Sequence, residues 1–133
     1  MVEDLALERW RKLVWNIPFN GLTIAAGGID VARLLADPGL NHLAEQLMRE
    51  VIGIASMLGH EIPASFVDDL MAKTRNMGSY RPSSLVDFLE GREVEVEAIW
   101  GEPYRQGVTS GADSGRLETL YRLIHALASE GVD

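Results

Sequence analysis

The sequence predicts an all-α domain, and three observations carry that prediction. Apolar residues recur three and four positions apart over long stretches, as in Trp10, Leu13, Val14 and Ile17 or Leu43, Leu47, Val51, Ile54 and Leu58. That spacing lines one face of a helix. Helix-start chemistry stands before several stretches: Asp30 ahead of Val31, and Asp37 followed by Pro38. The one alternating segment, Glu93-Val94-Glu95-Val96-Glu97, favours a strand by pattern but has no second convincing strand to pair with.

Taken in order, the first helix is expected from about Asp4. Pro18 interrupts it, since a proline inside a helix removes one hydrogen bond and forces a kink. A bent continuation through Asn20 and Leu22 should end at Gly27-Gly28. Asp30 caps a short helix through Leu35. Asp37-Pro38 opens the next, which runs to about Gly59 with Leu43, Leu47, Val51, Ile54 and Leu58 on one side. Pro63 opens another, with Phe66, Leu70 and Met71 inward, and Met77 to Pro82 is a loop. Ser83 or Ser84 caps a helix through Phe88 and Leu89 that Gly91 stops. Lacking a strand partner, Glu93–Glu97 is expected to start a helix through Trp100, bent by Pro103. Gly107 and Gly111 weaken it by about 1 kcal/mol each relative to alanine. The last helix runs from about Ser114 with Leu117, Leu120, Leu123, Ile124 and Leu127 as its apolar stripe.

Composition narrows the function classes. With 133 residues and 47% hydrophobic content, residues 1–133 are expected to form one domain with a real core. The absence of cysteine excludes disulfides, thiolate nucleophiles and Cys-ligated metals, and fits a reducing cytoplasm. Twelve basic residues against 20 acidic give a formal charge of −8, so neither nucleic acid nor an anionic membrane is an expected partner. The acidic start Met1-Val2-Glu3-Asp4 is unlike a signal peptide. The apolar stretch Leu13–Ile29 is broken by Asn16, Pro18, Asn20 and glycines, which argues against a membrane span.

Within that apolar stretch, Lys12, Asn16 and Asn20 form a polar ladder with four-residue spacing. Successive members sit about 40° apart on an ideal helix, so they form one slowly drifting strip. Two accounts stand side by side. Either Lys12 snorkels to water while the asparagines bond neighbouring helices, or an ammonium and two amides converge on a carbonyl ligand. Ser83, Ser84 and Asp87 read equally as helix-cap chemistry. Glu93 and Glu97 read as a solvated face, and Glu95 admits that account as well as a functional one. His42, His60 and His125 are isolated, so no metal site is expected. Gly27-Gly28 lacks the pattern of a phosphate loop.

Two blocks carry a family resemblance. Trp10-Arg11-Lys12-Leu13-Val14-Trp15-Asn16-Ile17-Pro18-Phe19-Asn20-Gly21-Leu22-Thr23 resembles the start of the C-terminal domain of ketopantoate reductases (2-dehydropantoate 2-reductases). Arg81-Pro82-Ser83-Ser84-Leu85-Val86-Asp87-Phe88, then Gly91-Arg92, then Glu95 to Gly101, resembles that family's second signature, in the expected order. The resemblance covers essentially the whole chain. It implies a multi-helix domain of the 6-phosphogluconate dehydrogenase C-terminal type, the second half of an enzyme of pantothenate biosynthesis in which NADPH reduces a 2-oxo acid to a 2-hydroxy acid. It implies Lys12 as general acid, Asn16, Asn20 and Ser83 (or its neighbour Ser84) as substrate-binding residues, and Glu95 near the cofactor ribose. It also implies partners: a small 2-oxo acid, an N-terminal Rossmann domain in cis or trans, and a second copy in a homodimer.

Two departures qualify these implications. Asp30 and Val31 stand where the family often has Asn-Gly; a carboxylate there would repel an anionic oxo acid and argues against ketopantoate itself. The Rossmann domain is not in this sequence, so NADP binding and turnover are expected only when that domain is supplied. The competing expectation is a non-catalytic helical dimerisation or interaction module that keeps the scaffold.

Overall fold

Alternating Glu and Val do not make a strand here. In the computed structural model, which describes residues 2–130, every regular element among the described residues is helical. The elements are α1 (Val2–Ala25), α2 (Val31–Ala36), α3 (Pro38–Met57), α4 (Ser65–Arg75), α5 (Ser83–Leu89), a π-helical turn (Glu97–Gly101), α6 (Glu102–Ser110) and α7 (Gly115–Glu130). No helix among the described residues is long and apolar enough to cross a membrane.

Helix α1 is the organising element. Its expected stripe of Trp10, Leu13, Val14 and Ile17 is buried, and the helix packs against α3, α7 and α5. It is not interrupted at Pro18 but stays helical to Ala25. It closes where the Gly28 and Ile29 N–H groups return to the Thr23 carbonyl. The caps expected at Asp30 and Asp37 are both present, accepting from the N–H of Arg33 at 2.9 Å and of Leu40 at 3.0 Å.

Several inward assignments shift. Leu58 caps the end of α3 on the exposed side and Leu123 of α7 faces outward, while Tyr121 is buried in its place. In α4 the buried positions are Val67, Met71 and Thr74, with Phe66 and Leu70 half-buried. The segment Glu93–Glu95 is irregular rather than helical; the chain becomes helical at Val96 and passes through the π-helical turn into α6. Gly111 does not weaken α6. It sits just past the helix end with φ 80°, the left-handed turn that glycine adopts most easily.

The crossing of α1 with the π-helical turn and α7 is close. The Trp100 indole N–H donates to the Ile17 carbonyl at 3.0 Å. A Cβ at Gly21 would stand 2.6 Å from a Leu120 methyl and 2.8 Å from that indole nitrogen. Only glycine admits the approach.

Candidate active site

Helix α1 carries the ladder from solvent into the interior: Lys12 is exposed, Asn16 half-buried, and Asn20 only 2% exposed. Buried amides require partners, and Asn20 finds two. Its Oδ1 accepts the backbone N–H of Ser84 at 2.9 Å, and its Nδ2 donates to Asn16 Oδ1 at 3.4 Å. Helix α5 therefore starts without a cap of its own. Pro82 holds the cap position with no side-chain hydrogen bond, and the remote Asn20 satisfies one of the free donors. Neither Ser83 nor Ser84 caps the helix. Ser83 is its exposed first residue, and Ser84 is buried against the ladder.

The second motif closes on itself at the other end of α5. Arg92 Nε donates to Asp87 Oδ1 at 3.0 Å and the Arg92 N–H to the Asp87 carbonyl at 2.8 Å. Arg92 also pairs with Glu90. This arrangement fixes the turn before Glu95. Arg9, one turn ahead of Lys12, donates to the Ala98 carbonyl at 3.4 Å. With Trp100 on Ile17, this lays residues 98–100 along α1.

Glu95 itself is exposed. Among the described residues neither its carboxylate nor the Lys12 ammonium has a hydrogen-bond or ion-pair partner, and the two are not joined to each other. Glu97 is not the simple solvated residue that the alternation suggested. It accepts from the Tyr121 hydroxyl and from Arg105, each at 2.9 Å. These bonds, Arg105 first, pull its carboxyl below the usual range.

Trp15 and the residues around it, Thr74, Phe19 and Tyr80, escaped the sequence reading as a group. The Trp15 indole N–H donates to Thr74 Oγ1 at 2.9 Å. Its ring stacks on Phe19 at 5.1 Å and meets Tyr80 at 6.4 Å and 53°. Trp15 lies inside the first motif, so its position was visible, but its partners on α4 and the following loop were not. Asp30 spends its carboxylate on capping α2, and Val31 N–H bonds the Tyr80 carbonyl at 3.0 Å. The first turn of α2 thus anchors the loop that carries Tyr80.

Glu50 is the other residue missed. Its side chain is 2% exposed, and it accepts the N–H groups of Leu117 at 2.7 Å and Arg116 at 3.3 Å, capping α7 from α3. Burial pushes its carboxyl above the usual range against those bonds. A hollow of about 680 Å³ lined by Phe88, Arg92, Glu93, Glu97 and His125 includes none of the ladder residues.

The fold and these motifs define an all-helical domain of one family, packed around its long first helix. The chain belongs to the family described as the ketopantoate reductase PanE/ApbA C terminal, whose model matches residues 4–128. It is 40% identical over 127 residues to a 2-dehydropantoate 2-reductase of Nostoc sp., covering 96% of this chain and 40% of that protein. Its fold matches the crystal structure of 2-dehydropantoate 2-reductase from Methylococcus capsulatus with a TM-score of 0.89 and 32% identity, over 96% of this chain and 44% of that one. It also matches a dimeric ketopantoate reductase from Staphylococcus aureus with a TM-score of 0.82 and 28% identity, over 92% of this chain and 43% of that one. The chain thus spans less than half the length of each of these relatives.

Proposed function

We propose that this chain is the substrate-binding and proton-donating half of a ketopantoate reductase-like, NADP-dependent cytoplasmic oxidoreductase that converts a 2-oxo acid to a 2-hydroxy acid. The observation that carries the reading is the Asn20–Ser84 hydrogen bond, which joins the two family motifs at one strip. On this reading the nucleotide cradle comes from a Rossmann domain, in cis or trans. Toward that cofactor this chain offers Glu95, exposed and without a hydrogen-bond partner among the described residues.

A nicotinamide held by a Rossmann domain would supply the hydride that the ketone carbon accepts. As that C–H bond forms, the carbonyl π pair moves to oxygen. The Lys12 ammonium stabilises the developing charge and gives the oxygen a proton. Asn16, tied to Asn20, holds the ligand's oxygens without adding charge, and Ser83, the exposed first residue of α5, offers a hydroxyl.

The test is complementation. With NADPH and ketopantoate, the isolated chain should not turn over, and adding a Rossmann half should restore the reaction. In the restored pair, Lys12→Ala should lower turnover about 10²–10⁴-fold. Turnover by the isolated chain would refute the dependence, and an unchanged rate would remove Lys12 from the mechanism.

A second reading, a non-catalytic homodimerising module, is favoured by one feature. An apolar groove of about 180 Å³ is lined by Leu22, Leu43, Leu47, Leu120 and the half-exposed Leu123. That reading predicts a dimer by light scattering with no oxo-acid binding.

A further inference from the structure

We infer that the face of the molecule around Trp15 collects anions and gives the ladder a preference for doubly charged 2-oxo acids over singly charged ones. The inference rests on the proposed use of the ladder for a 2-oxo acid. It starts from the way charge is distributed along the chain. Residues 9–29 and 70–86 hold six of the 12 basic residues and none of the 20 acidic ones. Every acid lies elsewhere, so the overall charge of −8 conceals a strongly polarised molecule. The fold lays these two segments against each other. The Trp15 indole N–H donates to Thr74, the Trp15 ring meets Tyr80, and Ser84 donates to Asn20.

The cations gather about those contacts. Lys73 and Arg75 flank Thr74 in the last turn of α4, Arg81 follows Tyr80, and Lys12 and Arg11 stand three and four residues before Trp15 on α1. Residues so spaced are neighbours on a helix surface. All five side chains are exposed, and among the described residues none has an ion-pair partner. Arg11 lies over the Phe66 ring at 4.6 Å, which leaves its charge uncancelled. Arg9, the sixth, turns away to the Ala98 carbonyl. Acids mark only the edge. Asp87 is held by Arg92, Asp30 accepts the Arg33 N–H, and Glu8 and Asp69 stand one turn before Lys12 and Lys73 without pairing. Lys73 and Arg75 suit the C-terminal end of α4 as partners of its dipole, but Arg11, Lys12 and Arg81 serve no helix end. An anion is thus repelled by most of the surface and drawn to this face, where the fields of several cations add. A second negative charge on the ligand gains from the same field.

Binding of pyruvate, propionate and 2-oxoglutarate to the ¹⁵N-labelled chain tests the inference, with the Trp15 indole N–H as reporter. At an ionic strength of about 0.02 M, 2-oxoglutarate should bind about tenfold more tightly than pyruvate. At about 0.5 M the preference should vanish, because screening then confines the field to the nearest charges. Arg75→Gln with Arg81→Gln should cut the low-salt preference about threefold. Arg49→Gln with Arg122→Gln removes the same charge from α3 and α7 and should leave the preference intact. If that second pair cuts it equally, net charge is the cause and the inference is overturned. If pyruvate is preferred to propionate but 2-oxoglutarate gains nothing at low salt, the collecting face is refuted and the ladder stands. If propionate binds as well as pyruvate while 2-oxoglutarate follows the Arg75 and Arg81 pair, the face is upheld and the ladder's use for a carbonyl fails. If no acid binds, both fall.

Discussion

Asn20 does two jobs with one amide, completing the ladder and capping α5. Asn20→Ala should leave the buried Ser84 N–H without an acceptor and cost about 1–3 kcal/mol in urea unfolding. Equal stability of wild type and the alanine variant would mean that water replaces the bond. Gly21→Ala tests the neighbouring residue. Its methyl group would overlap Leu120 and the Trp100 indole, so a loss of about 1–3 kcal/mol is expected despite the better helix propensity of alanine. A rise in melting temperature would contradict the close approach. At this scale the sequence revealed spacing but not partners. Lys12, Asn16 and Asn20 could be read as one strip, whereas the Trp15–Thr74 and Trp15–Tyr80 contacts depend on how α4 and its loop return to α1.

Among the elements, α7 and the π-helical turn are held by carboxylates with opposite pH behaviour. Glu50 is shifted upward by burial, so the folded protein binds its proton more tightly than the unfolded chain does. Its favourable share is complete below the unfolded value and is lost as pH rises through the folded one. Glu97 is shifted downward by Arg105 and Tyr121, so its share is present above the unfolded value and is lost as pH falls through the folded one. Glu50→Gln should therefore flatten the decline in melting temperature above about pH 4.5, and Glu97→Gln the decline below it. A melting profile unchanged by either variant would rule out that residue as a source of the slope. The helix starts at Asp30 and Asp37 were legible because a cap is local chemistry. The π-helical turn was not, because its clamps, Trp100 on Ile17 and Glu97 on Tyr121, join distant segments. The same limit hid the cap on α7, whose acceptor sits on α3.

For the whole molecule, α1 touches α3, α5, α7 and the π-helical turn, so little of the described structure can melt without it. Helix content and tryptophan fluorescence should report one coincident transition, with Trp10, Trp15 and Trp100 all packed on or against α1. Two separated transitions would show that α3 and α7 stand independently. The helical class was readable from apolar periodicity, and the family from two motifs far apart in sequence. How those motifs meet was not readable, because helix periodicity orders residues along one element and says nothing about which element crosses it.

The hydrogen bonds through the ladder all run in one direction. Ser84 N–H gives to the Asn20 oxygen and the Asn20 nitrogen gives to the Asn16 oxygen, so both amide oxygens are turned toward the fold. What remains for a visitor is nitrogen: the Asn16 amide and the Lys12 ammonium. Each bond upstream polarises the next. The strip is thus a surface on which donors outnumber free acceptors. It favours molecules rich in lone pairs and penalises those that must donate. That bias is set not by the residues a ligand touches but by a backbone N–H at the start of another helix.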